Sequence, residues 1–122
     1  MAYLYVGIGG VFGALLRFIL GKYISGKVTS FPLGTLVINV TGAFVLSFLF
    51  FFFQGGNSLN EPIYLALTTG ALGAYTTFST FTLETLNLLE EGRLLAAGAY
   101  LGGNVCLGLT GVFLGKAAAL II

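Results

Sequence analysis

Charged side chains are so scarce in this chain that they act as punctuation. Five basic and four acidic residues are spread over 122 positions. Between them lie four apolar stretches, each about the 20 residues an α-helix needs to cross a hydrocarbon core. The first runs over 3–23, interrupted by Arg17, and the second over 32–53 after the polar link SGKVTS. A third extends over 62–89 behind QGGNSLNE, free of charge as far as Glu84, and the fourth over 94–116 behind the turn EEGR. Barrel strands would instead alternate apolar and polar positions over about ten residues. Only 7% of the residues are charged and mean hydropathy is +1.03; a soluble domain carries about 25% charge. The expectation is an all-α membrane protein, one domain over 1–122 with four transmembrane helices, multi-pass in a cell membrane.

Several function classes drop out early. A net charge of +1 without a basic cluster gives nucleic acid nothing to bind. There is no His, and the single Cys106 allows neither an internal disulfide nor a Cys/His zinc site. Cys106 is expected to pack as a small hydrophobe. The opening MAYLYVGIGG lacks the basic flank and cleavage pattern of a secretory signal, so the first stretch is expected to remain a span.

Glycines recur at the four-residue spacing that lets helix backbones touch: Gly9 and Gly13, Gly98 and Gly102, Gly111 and Gly115. Each pair serves either packing within one chain or a seam between two. Four thin helices do not enclose a pore alone, so this small-residue surface favours an oligomer. An even number of spans puts both termini and the 54–61 link on one side with Lys116, opposite Lys22, Lys27 and Arg93. That is a weak positive-inside bias, which would put the termini outside and which a protein inserted in both orientations would also show.

The third span contains GALGAYTTFSTFTLE, residues 70–84. Two glycines and five hydroxyls suit a mid-membrane interruption, because irregular backbone in lipid survives only inside protein or beside a wet cavity. A break after Gly70 and Gly73, before Thr76, Thr77, Ser79, Thr80 and Thr82, would leave free carbonyls for a hard cation and free N–H groups for an anion. The alternative is a continuous helix whose hydroxyls bond back to the preceding turn. Asn39, in GTLVINVTG, is either an interhelical clip or a donor along a pathway, and Asn104 carries the same ambiguity. Tyr100 needs a hydroxyl partner if buried. Phe78 and Phe81 would share a face of a helix, offering core packing or positive ring edges to a small anion. Arg17 either snorkels to the headgroups or draws anions into a vestibule. Glu61, Glu84, Glu90 and Glu91 are read as lying at or near span ends. A proton-coupled transporter needs an acid within the membrane, so this reading favours passive conduction.

The run TTGALGAYTTFSTFTLE, with GTLVINVTG before it and GGVFGALLRF at the start, closely resembles the Fluc (CrcB) fluoride-channel family. The resemblance covers all four spans in order, and TTFSTF is its most specific part. It implies a dual-topology, antiparallel dimer of four-helix subunits, of an identical chain or a paralogue, with two fluoride pathways. It also implies a third helix broken at its centre and one structural, untransported sodium ion (Na+) on the two-fold axis, held by the backbone oxygens of Gly73 and Thr76. Phe78 and Phe81 would line the pathways, with Asn39, Ser79, Thr80 and Tyr100 as polar groups and Arg17 in the vestibule. Ala74 and Tyr75 depart from the Gly and Phe or Leu common there, and Asn104 and Cys106 from serines. The resulting expectation is passive export of fluoride from the cytoplasm, relieving its toxicity. A small multidrug or cation exporter would require an acid in the first span, where 3–23 has none. A non-transporting assembly subunit would leave the clustered hydroxyls without a task. No nucleophile–base pair suggests an enzyme.

Overall fold

The computed structural model describes residues 1–122 as helices joined by short links, without a strand. Three helices are long and apolar enough to span a bilayer: α1 (Ala2–Lys27), α2 (Leu33–Gln54) and α6 (Leu94–Ile121). Large apolar side chains such as Phe12, Phe18, Leu95 and Phe113 stand on the outside of the chain. Water would penalise that surface, whereas lipid tails match it. The chain is a multi-pass membrane protein.

The third pass is built from pieces: α3 (Glu61–Leu65), a π-helical segment (Ala66–Leu72), α4 (Gly73–Tyr75) and, beyond a break, α5 (Phe78–Glu90). Pro62 lies in the first turn of α3, where its missing N–H costs nothing. Wide π turns are rare and need outside support. Here the support is α1, whose backbone lies directly against the segment. A Cβ on Gly9 would fall 2.0 Å from the Ala66 carbonyl oxygen, one on Gly13 2.0 Å from that of Ala71, and one on Gly70 2.5 Å from that of Val6. The same device joins α2 to α6, where a Cβ on Gly115 would lie 2.3 Å from the Phe44 oxygen. Two of the three glycine pairs therefore pack within the chain, while Gly98 and Gly102 face open space.

Beyond the break the third pass changes partner. Its first half packs on α1 and its second on α6, where Phe81, Leu88, Ala97 and Tyr100 form the core, flanked by Phe31, Leu36 and Ala96. The turn into α6 closes as a Schellman motif: Arg93 N–H bonds to Leu88 O at 2.9 Å and Gly92 N–H to Leu89 O at 3.0 Å. That requires the left-handed φ of +74° that Gly92 adopts. Arg93 then donates to the Ser30 carbonyl, tying this turn to the α1–α2 link.

Candidate functional site

The break lies at Thr76 and Thr77, both extended (ψ 159° at Thr76; φ −151°, ψ 123° at Thr77). Gly70 and Gly73 are not themselves the extended residues: Gly73 is helical at φ −62°, and Gly70, within the π-helical segment, is needed for contact with α1. Threonine suits the extended positions because branching at Cβ favours that backbone and its hydroxyl can cap. Thr77 Oγ1 accepts from Thr80 N–H at 3.2 Å, which starts α5. Thr76 Oγ1 donates to Leu72 O at 3.0 Å and closes the turn before the break.

Asn39 supplies what the helix gives up. In continuous helix the Thr77 amide would bond to Gly73 O; instead it donates to Asn39 Oδ1 at 2.9 Å. The Thr77 carbonyl accepts from Asn39 Nδ2 at 3.1 Å. A side-chain amide thus stands in for a missing peptide partner. The second Asn39 N–H donates to Asn104 Oδ1 at 2.9 Å, and Asn104 Nδ2 donates to Tyr100 O at 3.0 Å. Both asparagines act as clips between α2, the break and α6.

An aromatic ladder descends from the break. Phe78 and Phe81 meet edge to face with centroids 5.7 Å apart, Phe81 and Tyr100 at 5.6 Å, and Phe31 and Tyr100 at 5.5 Å. Phe81 is 6% exposed and Tyr100 fully buried, whereas Phe78 is 76% exposed. The Tyr100 hydroxyl donates to Glu84 Oε2 at 2.5 Å, and Thr35 Oγ1 donates to Glu84 Oε1 at 3.0 Å.

Glu84 stands within the last two turns of α5 and borders the 28–32 link, but it is not a free interfacial charge. It is half-buried on α5, its two oxygens held from α6 and α2. Sequence reasoning missed the Thr35–Glu84–Tyr100 cluster because its members are 49 and 16 residues apart. The one signal was that Tyr100, if buried, needed a hydroxyl partner. Cys106 also departs from expectation, standing exposed on α6 rather than packed within the chain.

Two cavities flank the break, and Thr77 lines both. One, of about 370 Å³, is bounded by Asn39, Gly42, Thr76, Phe78, Phe81 and Asn104. The other, of about 350 Å³, is bounded by Arg17, Lys22, Thr35, Thr80 and Glu84. Arg17 is half-buried there without an ion pair, the only salt bridge in the chain being Arg93 to Glu91 at 3.6 Å. Ser79 lies outside both cavities, exposed, its carbonyl accepting from Thr82 Oγ1 at 2.9 Å.

The pieces suit an anion better than a metal-centred reaction. Hydroxyl and ring-edge groups line the break, its amides being paired through Asn39, and the neighbouring cavity holds two cations beside the Glu84 carboxylate. No cluster of His, Cys, Asp and Glu could hold a metal. Carbonyl oxygen is the remaining donor for a hard cation. The Gly73 carbonyl has lost the Thr77 amide, and Gly73 is exposed. Its oxygen therefore fits such an ion, although Gly73 and Thr76 of one chain supply only two of the six or more oxygens usual around it.

Residues 4–116 match the family described as CrcB-like protein, Camphor Resistance (CrcB). The "Fluoride-specific ion channel FluC 2" of Moorella thermoacetica is 47% identical over 120 residues, covering 98% of this chain and 97% of the relative. The "Fluoride-specific ion channel FluC" of Hydrogenobaculum sp. is 46% identical over 116 residues, 95% of each chain. That of Acidobacterium capsulatum is 42% identical over 116 residues, 94% of this chain and 93% of the relative.

Proposed function

Because this chain belongs to the CrcB family, a family of channels rather than enzymes, we propose that it conducts fluoride passively across the cell membrane. The observation that carries the reading is the edge-to-face Phe78–Phe81 pair set against the Thr76–Thr77 break. Fluoride is small and holds its water tightly, so a narrow route must replace that water with hydroxyls, amides and ring edges. A larger anion loses hydration without gaining the fit. Arg17 and Lys22 raise the local anion concentration at the neighbouring cavity. Thr80 offers a hydroxyl there; Tyr100 meets the route only through its ring against Phe81, and Ser79 faces outward, where it would join a route shared with a second copy. A membrane potential, worth about 2.3 kcal/mol per charge per 100 mV, drives anions out of a negative cytoplasm and relieves fluoride toxicity.

Each chain forms a single four-helix domain that pairs with a second copy, or a paralogue, in antiparallel orientation. The supports are outward-facing groups: the Phe78 ring, Gly73, and the open Gly98–Gly102 stripe. Two chains together bring the Gly73 and Thr76 carbonyls of both breaks to one structural sodium ion, which would fasten the pair and is not transported. In sodium-free medium with a larger monovalent cation, the unfolding temperature of the solubilised protein is expected to fall.

Purified protein in liposomes is expected to release fluoride and hardly any chloride; equal rates would refute selectivity. Phe78→Ile, at an exposed position, is expected to leave the fold intact and slow fluoride efflux about tenfold, the scale of one lost edge contact. Normal flux would remove Phe78 from the route. Glu84 is the one feature favouring a proton-coupled exporter, and acceleration of efflux by an imposed proton gradient would support that reading instead.

A further inference from the structure

Asn39 and Gly42 are three residues apart on α2 and so face the same neighbour. Asn39 holds Thr77 through hydrogen bonds, and Gly42 is bare where it passes Thr76. A Cβ built on Gly42 would lie 2.3 Å from Thr76 Cγ2 and 3.1 Å from Tyr75 Cδ1. The Tyr75 ring needs to yield only a few tenths of an ångström. The Thr76 methyl is different, because its rotamer is fixed twice. Branching at Cβ restricts χ1, and Oγ1 donates to Leu72 O at 3.0 Å. Rotating the methyl away would break that bond. A side chain at 42 therefore pushes on the backbone of residue 76, whose carbonyl and following amide are the groups that the break takes out of the helix, the amide being paired instead with Asn39 Oδ1.

We propose that Gly42 is a positioning residue of the break: the missing side chain lets α2 close onto Thr76 and thereby sets where the Thr76 carbonyl and Thr77 amide point. The inference rests on the pathway reading for its functional meaning but not for its test. Glycine at 42 is required here by the neighbouring methyl, not by the conformation of α2, which is ordinary helix at this position. The partner that matters is therefore one atom, and removing that atom should remove the requirement.

The test is a double-mutant cycle between Gly42→Ala and Thr76→Ser, since serine keeps the hydroxyl bond to Leu72 and lacks Cγ2. Hydrogen–deuterium exchange over residues 73–80 reports the break independently of transport, and fluoride efflux from liposomes is measured beside it. With Thr76 present, Gly42→Ala is expected to speed exchange at the Thr77 and Thr80 amides at least about tenfold, as local opening becomes easier. On the Thr76→Ser background the same change is expected to alter it less than about threefold. Efflux should follow the same pattern. Equal effects of Gly42→Ala on both backgrounds, or none on either, overturn the inference, as does Gly42→Ala unfolding the protein whichever residue stands at 76. Liposomes of the unmutated chain that release no fluoride would defeat the functional reading, while the exchange cycle still decides the positioning role.

Discussion

Asn39 is where a single side chain does the work of a stretch of helix. It satisfies both the N–H and the C=O of Thr77 and still donates to Asn104. Asn39→Leu strips two buried backbone groups of partners, each worth about 1–3 kcal/mol when left unpaired. The expected result is a fall in thermal stability of the solubilised protein with loss of fluoride efflux. Asn39→Asp is expected to be as harmful, since it turns the donor facing Thr77 O and Asn104 Oδ1 into an acceptor. A lipid-facing or merely space-filling Asn39 would tolerate both. Tyr100→Phe removes the donor to Glu84 Oε2 and leaves the ring packing, so a cost of about 1–3 kcal/mol follows from the unpaired oxygen alone. Thr35→Val acts on the other oxygen of the same carboxylate, and because the two share Glu84 their effects should not add. Unfolding of the two single variants and the double variant measures this.

The third pass is one span in length and two helices in allegiance. Residues before the break lean on α1 through glycine contacts, and residues after it join α6 through an aromatic core. Gly13→Ala is expected to lower thermal stability by about 1–3 kcal/mol, as overpacking does, because the new methyl meets backbone that cannot rotate away. Gly98→Ala, which meets nothing in its own chain, is expected to change unfolding of the separated chain by no more than about 0.5 kcal/mol. Much of this arrangement could be read beforehand. Apolar runs between charges announced the passes, since lipid leaves few alternatives to a helix, and GALGAYTTFSTFTLE announced trouble in the third. What could not be read was which residues bend. Glycine signalled looseness, yet Gly70 serves close approach and the extended residues are threonines, of which Thr77 is held by Asn39, 38 positions away. The partners of Glu84 were illegible for the same reason. Distance from the end of a span is local information, and the hydroxyls that hold its carboxylate arrive from other helices.

Over the whole molecule, charge is spread so thinly that orientation is weakly encoded. Lys22, Lys27 and Arg93 lie near one face, and Lys116 near the other with its ammonium over the Phe51 ring at 4.7 Å. Two lysines added to the 54–60 link are expected to bias insertion toward one direction and lower fluoride efflux from cells. Co-expression with a variant biased the other way should restore it, and unchanged efflux in the first variant would argue against opposed pairing. The Phe78 ring projects beyond its own chain, so in the proposed antiparallel pair each conduit would borrow a wall from its neighbour. A faulty copy would then spoil both conduits of any partnership it joined. In a cell carrying sound and damaged genes together, the damage would show as dominant, outweighing what the sound gene supplies.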